Sequence, residues 1–261
     1  MEVRAPRFRF DDLPRWWNHG APLPTHLASS LHLVFPAGER FFIRSVRHFL
    51  PQVQDPALRA RVELFVGQEA AHQRAHLQAF DVLEAQGYEI RSHLARYERW
   101  AYGWFEPKTP WSLRLAATAA LEHLTALFGE LALGTPLLDG AAPEMRRLLQ
   151  WHAAEEIEHR DVAYDVFQQV DGRWWVRMAG LVVALTTLPL FWAMGARHLM
   201  RQERERPSRE HRARVRARVG AVWRAAAPHM GRRLLAYLRP GFHPREAALD
   251  GLAERFFTEF A

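Results

Sequence analysis

The sequence predicts an all-α protein, a four-helix bundle followed by a further helical region. Three observations carry that expectation. Apolar residues recur at three- and four-residue steps over four long stretches, no stretch alternates as a strand would, and Pro, Gly and Asp fall between the periodic segments. A composition of 49% apolar and 25% charged residues belongs to a folded chain and excludes a disordered one. At 261 residues the chain exceeds the usual compact unit, so an appendage to the bundle is expected.

The parts follow in order. Residues 1–34 form a polar, Pro-punctuated arm, 35–172 the bundle, and 173–261 a helical C-terminal extension with an apolar helix over 174–200 and an Arg-rich segment over 201–219. In the bundle Pro36 is placed to open the first helix, whose stripe of Glu39, Phe42, Val46 and Phe49 ends before Pro51. Asp55-Pro56 caps and opens the second, with Leu58, Val62, Phe65, Glu69, His72, His76, Phe80 and Leu83 on one face before Gly87. Thr109-Pro110 caps the third, where Trp111, Leu115, Thr118, Glu122, Thr125 and Gly129 share a face. After the Asp139-Gly140 turn, Pro143 starts the fourth, which carries Met145, Leu149, His152, Glu156, His159, Ala163, Val166 and Val170 on one stripe up to Gly172.

Each of the four apolar faces is interrupted by a glutamate, and the second and fourth repeat Glu-x-x-His. The set is Glu39, Glu69 with His72, Glu122, and Glu156 with His159, the pattern of a carboxylate-bridged dinuclear metal site inside a bundle. Burying unpaired carboxylates is expensive, so a positive partner is required. These faces offer no Arg or Lys, and the only lysine, Lys108, falls in a loop. Two metal ions supply the counter-charge, and Glu-x-x-His puts two ligands one turn apart so that both reach one ion. With no cysteine in the chain, thiolate sites, disulfides and cysteine nucleophiles are excluded, and the donors are oxygen and nitrogen.

Four further residues lie close to the set. Glu155 is the fallback ligand in the fourth helix, whereas Glu158 points away. His76 and His152 sit one turn from His72 and Glu156, and three roles stay open for them: extra ligands, hydrogen-bond partners behind the ligands, or core histidines. His123 should face a neighbouring helix, and His243, before a proline, reads as a turn residue.

Several stretches resemble the bacterial predicted metal-dependent hydrolases, whose members carry a ferritin-like four-helix core. They are Pro36-Ala37-Gly38-Glu39-Arg40-Phe41-Phe42, Gln68-Glu69-Ala70-Ala71-His72, Ala120-Leu121-Glu122-His123-Leu124-Thr125-Ala126, Trp151-His152-Ala153-Ala154-Glu155-Glu156-Ile157-Glu158-His159 and the late Pro240-Gly241-Phe242-His243-Pro244. The resemblance spans most of the chain from about residue 15. It implies a metal-dependent enzyme. The ligand motif also resembles that of ferritin-like oxidases, desaturases and monooxygenases, which implies a di-iron site activating oxygen, with Glu69 and Glu156 as bridges and an electron donor; the apolar helix over 174–200, as a wall near such a site, favours a small hydrophobic substrate. Oxygen activation is the leading expectation; hydrolysis by a metal-bound water, with manganese or zinc in place of iron, is the alternative, and an iron store or oxidative-stress protein the third.

The formal charge of +6 is local: Arg201 to Arg218 holds eight Arg against three Glu, with almost no aromatics to stack on bases. Nucleic acid is therefore not the expected partner. Met178 to Ala196 is nineteen residues without a charge, flanked by Trp174 and Trp175. Three placements fit it: a helix buried in the protein or a homodimer, a helix lying on a membrane surface with the Arg-rich stretch on anionic lipid, or a span. The N-terminal residues show no secretory signal, so a cytoplasmic protein is expected, with peripheral membrane contact one of the placements left open, and a span would place the basic segment on the wrong side.

Overall fold

The computed structural model describes residues 1–260 and is all-α. Among these residues the isolated bridge between Asn18 and Ala141 is the one β-type pairing, and it ties the N-terminal arm to the turn before the fifth helix. The first helix, α1 (Pro22–Phe49), begins well before Pro36 and runs through it. A proline inside a helix forfeits a hydrogen bond at a cost of about 3 kcal/mol. Burial outweighs that here: Thr25, His26, Ser29, Ser30, Leu33 and Val34 are all buried, and the Trp17 indole donates to Ser29 Oγ at 3.1 Å.

α2 (Pro56–Ala85) starts as its sequence demands, with the Asp55 carboxylate accepting from the Ala57 amide at 2.9 Å, and it stops before Gly87 at φ +85°. The following segment forms α3 (Arg91–Glu98), a π-helical turn over Arg99–Phe105 and a 3₁₀ turn. α4 (Trp111–Gly134) is not capped by Thr109, whose hydroxyl donates back to the Phe105 carbonyl.

The expected fourth bundle helix is two helices, α5 (Pro143–His159) and α6 (Val162–Val170), with Gly172 at φ +67° closing the second. The break at Arg160-Asp161 has a side-chain cause. Buried Arg160 donates to the Ile157, Ala247 and Pro244 carbonyls and to Asp250, while Asp161 accepts from Arg61 and Arg245, so both residues are held by groups outside the helix.

α1 packs on α2 and α4 on α5, and the two pairs meet through α1 against α4 and α2 against α5 and α6. Val46, Val62, Phe65, Leu115, Val162 and Phe167 are wholly buried between them, each contributing roughly 1.5–3 kcal/mol. α7 (Trp174–Met200) lies across α1 and α4, close enough that a Cβ on Gly180 would stand 2.4 Å from the Ala116 carbonyl carbon. It is long and apolar enough to cross a membrane, yet Val176, Arg177, Gly180, Leu181, Ala184, Gly195, Ala196 and Leu199 are buried on the protein. At its C-terminal end Glu203 accepts from Tyr88, from Trp16 at 3.1 Å and pairs with His26 at 2.6 Å, which locks α7 to α1 and the arm. α8 (Arg209–Ala236) rests on the surface with no fully buried residue, and α9 (Asp250–Phe260) packs on α5.

Candidate metal centre

α1 contributes Glu39, α2 contributes Glu69 and His72, α4 contributes Glu122, and α5 contributes Glu156 and His159, all six buried. They meet at one level of the bundle because each sits on the stripe that its helix turns inward. His159 Nε2 lies 3.2 Å from Glu122 Oε2, 3.4 Å from Glu69 Oε1 and 3.6 Å from Glu156 Oε1. His72 Nδ1 lies 3.6 Å from Glu156 Oε1 and 3.8 Å from Glu69 Oε2. Glu69 and Glu156 therefore each reach both imidazoles. Glu39 lies with Glu69 and His72 in one cluster of potential ligand atoms, all within 4.8 Å of one another.

The donor atoms are left without protein partners. Both oxygens of Glu39, Glu69 and Glu122, Oε2 of Glu156, Nδ1 of His72 and Nε2 of His159 are buried with no hydrogen bond. So many bare acceptors facing one another match bound cations, and the oxygen and nitrogen donors suit divalent or trivalent metals. Electrostatics agree. Glu39 is held well above the ordinary carboxylate range by burial and then by Glu69 and Glu156, and Glu69 is pushed up to about 8 by burial and then Glu156. Burial also pushes Glu122 well up, against the pull of His159. Burial opposes charge on Glu156 too, but His159 and His152 outweigh it and hold that carboxyl well below its usual range. His159 is correspondingly held well above the usual imidazole value: burial disfavours its charge, and Glu122 and Glu156 outweigh burial.

Behind each of His72 and His159 stands a relay to one arginine. His72 Nε2 donates to Glu155 Oε2 at 3.0 Å, and Glu155 Oε1 accepts from Arg4 Nη1 at 3.2 Å. His159 Nδ1 donates to Gln68 Oε1 at 3.1 Å, Gln68 Nε2 donates to Glu158 Oε2 at 2.8 Å, and Glu158 accepts from Arg4 at 2.9 and 3.2 Å. Glu155, the fallback ligand, thus faces the far nitrogen of His72, and Glu158 does point away from the cluster. Arg4 and Gln68 escaped the sequence reading. Gln68 shares a helix face with His72 four residues on, a signal that was there to find; nothing in the sequence marks Arg4.

His152 and His76 extend a second chain. His152 Nε2 lies 2.7 Å from Glu156 Oε1 and 3.9 Å from Glu39 Oε1, His152 Nδ1 lies 2.6 Å from His76 Nε2, and His76 Nδ1 lies 2.7 Å from His32 Nδ1. Burial, then the charge of His152, lowers His32 to about 3; burial, then His152, holds His76 well below its usual value; and burial, then His72, lowers His152. With three neutral rings the contacts are satisfied in one direction, His32 donating to His76, His76 to His152, and His152 to Glu156. His32 was missed because it lies ahead of Pro36, in the segment read as arm.

One further group lies outside the centre, Asp161 and Asp165 with His243, but Arg61 pairs with both carboxylates and Arg245 with Asp161. His123 faces α8, donating to the Arg233 carbonyl at 3.3 Å.

Two apolar cavities reach the centre. One, about 270 Å³, is lined by Glu39, Phe42 and Leu121 inside and by α7 and the π-helical turn outside. The other, about 300 Å³, is lined by His152 and Glu156 inside and by Trp192 and Trp223 outside. Phe35 and Thr125 line both. A family model described as a predicted metal-dependent hydrolase matches residues 2–248. No curated protein and no solved structure matches the chain.

Proposed function

The chain belongs to the predicted metal-dependent hydrolase family, and we propose that it is a hydrolase of an apolar substrate, working at two metal ions held by Glu39, Glu69, His72, Glu122, Glu156 and His159. The observation that carries the dinuclear reading is the set of bare, buried carboxylate oxygens drawn from four helices around two imidazoles. Glu39 and His72 would hold one ion and Glu122 and His159 the other, with Glu69 and Glu156 within reach of both rings. When bound, such a pair lowers the pKa of a coordinated water and polarises a carbonyl or phosphoryl oxygen.

The chain's own residues supply the rest. Glu155 and Gln68 fix the ring orientation and tautomer of His72 and His159. His152 holds a proton on Nε2 against Glu156 Oε1, and the His76 ring, donating to His152 Nδ1, fixes that tautomer. Phe35, Phe42 and Leu121 keep the cavities dry and seat an apolar group beside Glu39.

Oxygen activation is a second reading, favoured by the donor set: four carboxylates and two imidazoles with no thiolate, in apolar walls, suit a pair of irons. It requires an electron donor, and hydrolysis does not. Elemental analysis of the purified protein with an absorption spectrum in air separates the two. About two zinc or manganese ions per chain and no charge-transfer band support hydrolysis; about two irons with an oxo-bridge band support oxygen chemistry. A protein that binds no metal at all sinks both.

A further inference from the structure

Beyond the centre, the exposed side of α7 is the least accounted-for surface of the molecule. Trp175, Ala179, Val182, Leu185, Pro189, Leu190, Ala193 and Met194 follow one face and are all exposed. At ~1.5 Å per residue that stripe is roughly 28 Å long. Beside it, Trp100, Trp104 and Phe105 of the π-helical turn are exposed as well. Exposed apolar area on this scale marks an interaction site.

Three observations say what covers it. First, charge: from Gly172 to Gln202 and from Arg99 to Phe105 there is no acidic residue, the flanking Glu98, Glu106 and Asp171 are each paired with an arginine, and Arg99, Lys108 and Arg197 are exposed, Lys108 sitting 3.5 Å over the Trp104 ring. Second, α8 brings more cation: Val219 and Trp223 line the same cavity as Trp192 of α7, and exposed Arg216 and Arg218 lie within one turn of Val219. Third, Trp100, Trp104, Phe105 and Leu190 also line the 270 Å³ cavity, so that cavity opens through the apolar face and ends at Glu39. Aromatic and aliphatic groups bordered by arginine and lysine match the acyl boundary and headgroups of an anionic bilayer.

We propose that the exposed face of α7 and the Trp100–Phe105 turn seat on an anionic lipid bilayer, and that the cavity opening there takes an acyl chain from it toward the metal centre. The seating stands independently of the chemistry at the centre; the delivery of a substrate rests on the reading given under Proposed function. α7 does not span, because its opposite face is packed on α1 and α4 throughout.

The test uses the full chain and vesicles of phosphatidylcholine with or without phosphatidylglycerol. Wild type should co-sediment with the mixed vesicles and be released as salt is raised. The double variant V182D/L190D should bind roughly tenfold or more weakly with its metal content and helical circular dichroism unchanged, since two apolar contacts are lost. Wild type left in the supernatant by both vesicle types overturns the seating. So does a wild-type dimer that V182D/L190D converts to monomer, which would mean that a second copy covers the face. For the cavity, a fluorescent fatty acid is the probe: Thr187→Trp, which narrows the opening, should weaken its binding about tenfold while vesicle binding persists. Equal probe affinity in wild type and T187W overturns acyl-chain entry. None of these readouts requires turnover, so they fail or succeed separately from the proposed reaction.

Discussion

Two of the buried charge clusters in this molecule are treated differently by the chain. Arg177, 1% exposed on α7, has its terminal nitrogens donating to the Tyr164 hydroxyl at 2.6 Å and to the Arg239 carbonyl, and lies 5.3 Å from the Tyr237 ring centre and 5.9 Å from that of Phe242. That cation is answered by oxygens and aromatic faces of the protein itself. The four glutamates of the bundle face the His72 and His159 rings, Glu156 Oε1 accepts from His152, and their other seven oxygens are bare. The guanidinium is left with one bare atom, Nε, whereas the four carboxylates are left with seven, a concentration of buried acceptors that suits cations from outside.

The largest expected effect separates the two clusters. Glu122→Ala should abolish turnover and cost at least one metal ion per chain, whereas Arg177→Met should keep full metal loading and lose roughly 2 kcal/mol of stability. Metal content and melting temperature measured on both variants check this. Full loading of E122A would show that the ligand set is wrong, and metal loss in R177M would erase the distinction.

The next effect is on pH. Glu39, Glu69 and Glu122 have raised values, so above the ordinary carboxylate value of 4.5 the unfolded chain releases protons that the metal-free fold retains. That lowers stability as pH rises, up to about 8 for Glu69. His159, raised above 6.5, gives stability that is likewise lost on the alkaline side. The lowered histidines His32, His76 and His152 act oppositely, but only below 6.5. Between 6.5 and 8 the metal-free protein should therefore melt progressively earlier, and the metal-loaded protein should not, because bound ions hold the carboxylates ionised. Parallel melting curves for the two forms would refute the assignment.

The smallest effect probes the arginine behind the histidines. Arg4→Ala leaves every ligand in place but unties Glu155 and Glu158. Metal affinity, read by competition with a chelator, should fall roughly tenfold, at the low end of what outer hydrogen-bond partners contribute. An unchanged affinity would make Arg4 a surface tether of the arm and nothing more.

How much of this was legible in advance differs by residue. Glu39, Glu69, His72, Glu122, Glu156 and His159 could be placed together from spacing, and the structure brings all six to one level. Pro36 misled: local chemistry reads it as a helix start, but packing of Ser29, Ser30 and Leu33 carries α1 past it. The fourth helix reads as continuous because the three- and four-residue steps of its stripe run unbroken from Met145 to Val170, and the stripe does not register that Arg160 and Asp161 are held by Arg61, Arg245 and Asp250. The expected arm, residues 1–34, is in part helix and in part the source of Arg4. The leading expectation of oxygen chemistry found no support among the comparisons, whereas hydrolysis agrees with the family description.

The sequence by itself determined the helical phase and which glutamates and histidines turn inward together, because a side chain's place on a helix face depends only on residues three and four positions away. Only the tertiary structure decided which groups stand behind the ligands, where the fourth helix breaks, and that α7 is packed on one face and bare on the other. Those outcomes depend on contacts such as Arg4 with Glu155, 151 positions apart, and no local period encodes them.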